Sequence, residues 1–141
     1  MKNQMYPCLW FDGQAKAAAE FYCTIFPNSK ITNDSGMVVN FELNGQHFMG
    51  LNGGPNFKFN EAVSFVIPCE NQEEIDHYWN KLTAHGGQES QCGWLKDQFG
   101  LSWQVVPTIL GELMSHPEKG QRVIQAFMKM KKFDIEALKN A

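Results

Sequence analysis

The stretch Val38–Leu51, with the sequence VVNFELNGQHFMGL, decides the fold because it predicts two adjacent antiparallel strands. Apolar and polar side chains alternate in its first half, which is typical of a strand with one buried face. Asn44-Gly45 then provides the strongest hairpin turn in the chain, since Asn and Gly tolerate the positive φ of a two-residue type I′ turn. The stretch therefore predicts a β-hairpin whose second strand is Gln46–Leu51.

A strand and a helix are predicted before this hairpin. Met5–Phe11 is a short apolar and aromatic run, which favours a buried strand ended by Asp12-Gly13. Ala15–Phe26 carries apolar side chains at helical spacing, and Pro27-Asn28 stops the helix. The first half of the chain therefore predicts a strand, a helix and then several strands.

The same order of elements is predicted after the hairpin. The stretch Gly53–Asn60 is the natural linker, and Ala62–Pro68 alternates like a strand. Asn71 with Glu74 resembles a capping box, which begins a helix that Gly86-Gly87 closes. The remaining predictions are strands around Gly93–Lys96 and Leu101–Val106, joined by the turn Asp97–Gly100, and a final helix at Glu118–Met130.

Together these elements predict an α+β fold made of two similar halves. The first module covers about residues 4–53, the second about 61–107, and a helical tail covers 108–141. With 141 residues, 43% of them hydrophobic, the chain has enough apolar material for one core. Residues 1–141 are therefore predicted to be a single domain.

Composition restricts the partners and the compartment. The net charge of −3 argues against nucleic acid as the main partner, and the basic residues near the C-terminus are interpreted as a solvated helix face. No apolar run is long enough to span a membrane, and Met1–Pro7 lacks the apolar core of a signal peptide. The four cysteines form no CxxC pair and are predicted to be reduced thiols of a cytoplasmic protein: Cys8, Cys23, Cys69 and Cys92.

Compact catalytic motifs are absent from the sequence. The four histidines share no metal-ligand spacing, and there is no GxSxG nucleophile motif. Gly50, Gly53 and Gly54 do not form GxGxxG, which argues against a nucleotide-type cofactor and hence against methyl transfer. Aromatic side chains in the predicted strands either fill the core or line a cavity for a small molecule.

Three separated segments resemble the PhnB-like family of the glyoxalase/bleomycin resistance/dioxygenase superfamily, also called the vicinal oxygen chelate superfamily. They are residues 7–29, with PCLWFDG, AAEFY and FPNS; residues 97–107, DQFGLSWQVVP; and residues 121–135, with QRV, AFMKMKK and DI. The likeness extends from about Met5 to Leu138. Some members carry the label 3-demethylubiquinone-9 3-methyltransferase. The resemblance implies two βαβββ modules, each an open half-barrel around a cavity, and assembly as a homodimer.

Metal-dependent members of this superfamily hold a divalent ion with His and Glu ligands on four cavity strands. The corresponding positions here fall near Tyr6–Cys8, near Met49 or Gly50, at Ser64 and at Gln104, and none is His, Asp or Glu. A neutral amide and a hydroxyl bind such an ion poorly, so no metal and no cofactor is predicted. Polar side chains alternate with apolar ones here, as cavity-facing positions should. The predicted ligand pocket therefore consists of Tyr6, Cys8, Trp10, Ser64 and Gln104.

Three functions stay open at this point. The first is a metal-free protein that binds a small molecule of unknown identity. The second is a metal-dependent isomerase, lyase or dioxygenase whose ion is held by Glu42, His47 and Cys8. The third is the methyltransferase of the family label. The sequence identifies no catalytic residue, and unpaired strand edges favour a homodimer in each case.

Overall fold

A computed structural model describes residues 2–141 and contains two four-stranded mixed sheets with helices. The first module comprises β1 (Cys8–Phe11), α1 (Ala15–Cys23), β2 (Lys30–Asp34), β3 (Val38–Leu43) and β4 (Gln46–Asn52). The second comprises β5 (Ser64–Cys69), α2 (Gln72–Thr83), β6 (Gln88–Glu89), β7 (Trp94–Lys96) and β8 (Ser102–Pro107). The tail contains α3 (Leu110–Met114), α4 (Gly120–Phe127) and α5 (Ile135–Lys139).

Both sheets have the same strand order. The first is β1-β4-β3-β2 and the second is β5-β8-β7-β6, so neither closes on itself. β1 pairs with β4 and β5 with β8 in parallel, and the other neighbouring strands are antiparallel. The second module thus repeats the connectivity of the first, which confirms the predicted pair of βαβββ modules. The chain divides into two compact units, one ending at Phe59 and the other running from Asn60 to Ala141.

The predicted hairpin between β3 and β4 is confirmed. Leu43 pairs with Gln46, so the loop consists of Asn44 and Gly45 alone. Their φ values are 49° and 83°. Two consecutive positive φ angles are those of a type I′ turn, whose twist matches that of the flanking strands.

The core of the first unit lies between its sheet and α1. Phe41 and Phe48 are buried and stack with ring centroids 5.4 Å apart, and Tyr22 of α1 packs near Phe41. Gly50 lets the helix approach closely, because a Cβ there would lie 3.1 Å from the Cβ of Ala15. The small side chain at Ala15 and the missing one at Gly50 therefore set the spacing between helix and sheet.

The second unit has its own core between its sheet and α2. The helix buries the stripe Ile75, Trp79 and Leu82 against the sheet. Asn71 caps the helix by accepting a hydrogen bond from Glu74 N at 2.9 Å, as predicted. The Glu74 carboxylate accepts from the backbone N–H of Glu70 at 2.6 Å, and not from that of Asn71, so the capping box is only half formed.

The tail is attached to α2 and to the start of β7. Gln72 of α2 donates to the Phe133 carbonyl at 2.9 Å and accepts from Ile135 N at 2.9 Å. Phe133 is buried, and its ring lies so close to Gly93 that a Cβ there would be 2.4 Å away. The tail is thus part of the second unit.

Several element bounds differ from those predicted. β1 begins at Cys8 and not at Met5, since Pro7 has no N–H to donate and contributes only its carbonyl, to Met49 N. α1 ends at Cys23, before the predicted Phe26. α4 covers only the centre of the predicted helix 118–130. No helix in residues 2–141 is long and apolar enough to cross a membrane.

Candidate functional site

Each sheet has an open face, defined as the face whose side chains point away from the helix of its own module. On the first sheet, the register places Cys8 beside Met49 and Trp10 beside Leu51 on this face. Tyr6 lies just before β1, and its ring meets that of His47 edge-on at 4.2 Å. The structure thus brings Tyr6, Cys8 and Trp10 to one side of the first sheet.

Trp10 is held there by the residues that follow β4. Its indole N–H donates to the Gly54 carbonyl at 2.9 Å, and its ring meets that of Phe57 edge-on at 4.8 Å. A Cβ on Gly53 would lie 2.3 Å from the indole Cζ2, so only glycine fits against the ring. Gly53, Gly54 and Phe57 therefore already contact the indole, an arrangement that side-chain alternation alone did not indicate.

On the second sheet, the two polar residues predicted for the pocket contact each other. Gln104 donates from Nε2 to Ser64 Oγ at 2.9 Å across the parallel pair β5 and β8. Both side chains are half-buried and lie on the open face. Val66, the register partner of Gln104, is 57% exposed, so apolar surface lies beside the pair. The Gln104 amide thus donates to a side chain of the neighbouring strand and not to the backbone.

Aromatic residues of the strands divide between core and open face. Trp103 and Phe48 are buried on the helix side of their sheets. Trp94 and Trp10 are half-buried on the open faces. Alternation along each strand explains this division, because successive side chains point to opposite faces.

The alternative metal ligands do not converge. Glu42 and His47 are register partners on the open face of the first sheet. Cys8 pairs instead with Met49, which lies two residues after His47 on β4. Residues 2–141 contain no group of three His, Cys, Asp or Glu side chains that could hold a metal ion. Ser64 and Gln104 bond to each other and supply a neutral oxygen and a neutral amide, which do not suit a divalent ion. The residues present therefore do not fit the superfamily's metal.

Three of the four cysteine thiols, those of Cys8, Cys23 and Cys69, are not activated. All four are free, and burial raises the pKa of Cys8, of Cys23 and of Cys69, the last to about 12. A raised pKa leaves the neutral thiol as the dominant form, and only the thiolate is a strong nucleophile or metal ligand. Cys8 therefore contributes a neutral thiol to the open face of the first sheet.

Each of the two units also has a hollow on its surface. One of about 270 Å³, beside the open face of the first sheet, is lined by Tyr6, Glu42 and His47 among others. Another of about 560 Å³ in the second unit lies where the start of α2 meets α5, with Gln72, Asp134 and Lys139 in its lining. The second hollow could not be predicted from the sequence, because it depends on how the tail docks on α2.

Comparison with known proteins places this geometry in a family. The model of a family described as 3-demethylubiquinone-9 3-methyltransferase matches residues 3–106. The structure of a PhnB protein from Bacillus cereus is 31% identical, covers 75% of this chain and 100% of its own, and has a TM-score of 0.68. No curated protein sequence gives a significant match.

More distant structures share the fold. A glyoxalase-related enzyme from Fulvimarina pelagi is 16% identical with a TM-score of 0.57, covering 77% of this chain and 90% of its own. The fosfomycin resistance protein FosX from Listeria monocytogenes is 13% identical with a TM-score of 0.55, covering 75% and 91%. The chain therefore belongs to the PhnB-like family described as 3-demethylubiquinone-9 3-methyltransferase and has the glyoxalase/bleomycin resistance fold.

Proposed function

We propose that this protein binds a small molecule on the open face of its second sheet, around Ser64 and Gln104, without a metal ion. The observation that supports this most is the hydrogen-bonded pair of the two side chains, 2.9 Å apart, among exposed apolar atoms. Small-molecule sites are mostly apolar surfaces with a few well-placed polar groups, and this face has that character.

The pair formed by Ser64 and Gln104 can hydrogen-bond to a ligand. Ser64 accepts from the Gln104 amide, which leaves its own hydroxyl hydrogen and the Gln104 Oε1 for another molecule. Half-buried polar groups bind more strongly than fully exposed ones, since fewer water contacts must be replaced. We extend the proposal to Tyr6, Cys8 and Trp10 as contacts for a ligand on the open face of the first sheet.

A metal-dependent isomerase, lyase or dioxygenase of the same fold is the second candidate. It is supported by the Glu42–His47 register pair, an imidazole and a carboxylate on one face. Three protein ligands are the usual minimum of a catalytic metal site, and this pair supplies two. Elemental analysis of protein purified without chelators, giving about one metal per chain, would move the enzyme ahead of the binding protein.

Methyl transfer is supported by the family description alone. The sequence contains no GxGxxG segment, which would have supported a nucleotide-type cofactor site. A binding measurement with the methyl-donor cofactor tests it directly, and we expect no saturable binding.

We also propose that the whole chain acts as one domain in a cytoplasmic homodimer. Open sheets leave β1 and β5 as unpaired edges, and the apolar side chains Met5, Val63 and Val66 beside them are 91%, 63% and 57% exposed. Exposed apolar surface next to a strand edge favours covering by a second chain. Four free thiols suit a reducing compartment.

A ligand screen by thermal shift tests the binding function. Each compound that stabilises the wild type is titrated again against Gln104→Leu and against Gln121→Leu, a matched change at an exposed position of α4. We expect Gln104→Leu alone to weaken binding, by roughly tenfold, because the ligand loses a polar partner and Ser64 loses its donor. Equal affinity of both variants for every hit would reduce Gln104 to a structural role.

A further inference from the structure

One cross-strand row on the open face of the second sheet contains three hydrogen-bond donors. Ser102 of β8 is the register partner of Ser64 on β5 and of Lys96 on β7. Residues paired in register point to the same face, so the three side chains start from neighbouring positions on three adjacent strands.

The middle member of this row is a buried hydroxyl with nothing to bind. Ser102 is 0% exposed, and within residues 2–141 its Oγ has no hydrogen-bond partner. Nearly all buried polar groups in proteins are paired, so an unpaired one needs an explanation. Beside it, Ser64 accepts from Gln104 and keeps its own hydroxyl hydrogen for another acceptor.

Lys96 gives this face its charge. Among the strand residues that the structure describes on the open face of the second sheet, it is the one charged side chain. Its ammonium group is held by the carboxylate of Glu61, with Nζ 3.0 Å from Oε2. The hydrogen bond from Lys96 lowers the pKa of Glu61, so the carboxylate is charged at neutral pH. Glu61 accepts a hydrogen bond from Lys96 but contacts neither the Ser64 nor the Ser102 hydroxyl.

The pair between these two residues can open easily. The Glu61 side chain is 63% exposed and that of Lys96 is 34% exposed, and exposed ion pairs are weak because water screens them. Lys96 is also the neighbour of Ser102 in the row. An anion that takes the place of Glu61 on Lys96 would therefore be bound by the register partner of Ser102.

We propose that the row Ser64–Ser102–Lys96 binds the oxyanion of an acidic small molecule, a carboxylate or a phosphonate, and that Glu61 takes the place of this anion on Lys96 in the unliganded protein. The inference rests on the proposed function, since it assigns a charge to the ligand of the same face. An oxyanion has enough lone pairs to accept from two hydroxyls and an ammonium group together. Its binding would give Ser102 the acceptor that it lacks.

The test is an NMR titration of the full ¹⁵N-labelled chain at constant ionic strength. The probes are benzoate and phenylphosphonate, with benzamide as the neutral counterpart of benzoate. Either anion should shift the amide resonances of residues 64, 96 and 102, and benzamide should not. The anions should bind roughly tenfold more weakly to Lys96→Gln. They should bind about threefold more tightly to Glu61→Gln, which no longer competes for Lys96.

Lys58→Gln is the matched control, since it removes an exposed lysine with no ion pair among those found in residues 2–141. It should bind the anions as the wild type does. Shifts by one anion and not the other would support the inference and identify the headgroup. Equal binding of the anions to wild type and Lys96→Gln, or of benzamide and benzoate to the wild type, would overturn it. A neutral hit that still depends on Gln104 would then leave the proposed function standing.

Discussion

Asp97 is a buried carboxylate that organises the turn between β7 and β8. Its Oδ1 accepts from the backbone N–H groups of Phe99 and Leu101 at 2.9 and 3.1 Å. Its Oδ2 accepts from the Trp103 indole at 2.9 Å. This carboxylate thus fixes the turn and one core tryptophan together, which explains the spacing of Asp97 and Trp103 in the segment DQFGLSW.

Replacement of Asp97 should therefore cost stability in a graded way. Asp97→Ala leaves three donors without their acceptor, and we expect a loss of about 2–4 kcal/mol in the free energy of unfolding. Asp97→Asn keeps one carbonyl oxygen and should lose less. Urea denaturation measures both, with Asp12→Ala as an exposed control. A loss below about 0.5 kcal/mol for the alanine variant would contradict the assigned role.

The contact between Trp10 and Gly53 gives a second prediction for single residues. Gly53→Ala places a Cβ 2.3 Å from the indole Cζ2, so the ring must move, at a cost of about 1–3 kcal/mol. In a Trp10→Ala background the same change should be nearly neutral. Gly111→Ala is the control, since a Cβ there meets nothing within 4 Å. Equal losses in both backgrounds would show that Trp10 is not the cause.

Alternation along a strand predicted which residues share a face, but not what they bind. Ser64 and Gln104 were placed on one face because polar residues alternate with apolar ones there. The unpaired hydroxyl of Ser102 could not be predicted, because it depends on the register between β5, β7 and β8. The position of Trp10 against Gly53 and Gly54 could not be predicted either, because it depends on the path of the chain after β4.

At the level of elements, the contact between the tail and α2 depends on Asp76. Gln72 and Lys132 both donate to its Oδ1, at 3.1 and 3.0 Å. These bonds, the one from Gln72 foremost, hold the pKa of Asp76 below its ordinary value of 3.8. The stabilisation is therefore present above pH 3.8 and is lost as the pH falls through the lower pKa of the folded protein.

A comparison of wild type with Asp76→Asn over pH 2–7 checks this. At neutral pH the wild type should be more stable by about 0.5 kcal/mol, a small value because the ion pair with Lys132 is partly exposed. This difference should shrink as the pH falls below about 4. Asp12→Asn provides the matched control at an exposed position. A difference that stays constant down to pH 2 would contradict the assignment.

Elements with strong local patterns were predictable and exposed ones were not. The turn Asn44-Gly45 needs positive φ at both positions, so its residues specify it. β2, by contrast, is an edge strand with four exposed residues out of five and an irregular register between Ile31 and Asn33, so it lacks alternation. α3 and α5 have only five residues each, too short for a helical period to show in the sequence.

For the whole molecule, we predict a homodimer. The unpaired edges β1 and β5 and the exposed Met5, Val63 and Val66 supply the surface that a second chain would cover. Sedimentation at micromolar concentration should give about twice the chain mass of 16.1 kDa. A mass of one chain would rule the dimer out at that concentration.

The central claim, that a small molecule binds on the open face of the second sheet, is tested most directly by mapping a bound ligand. A hit from the thermal-shift screen is titrated into the ¹⁵N-labelled wild type, and the shifted amide resonances are assigned. We predict that the largest shifts fall on β5, β7 and β8, around Ser64 and Gln104, and that they are clearly smaller at the same, subsaturating ligand concentration in Gln104→Leu. Shifts confined to the hollow at Gln72, Asp134 and Lys139, unchanged in that variant, would contradict the account.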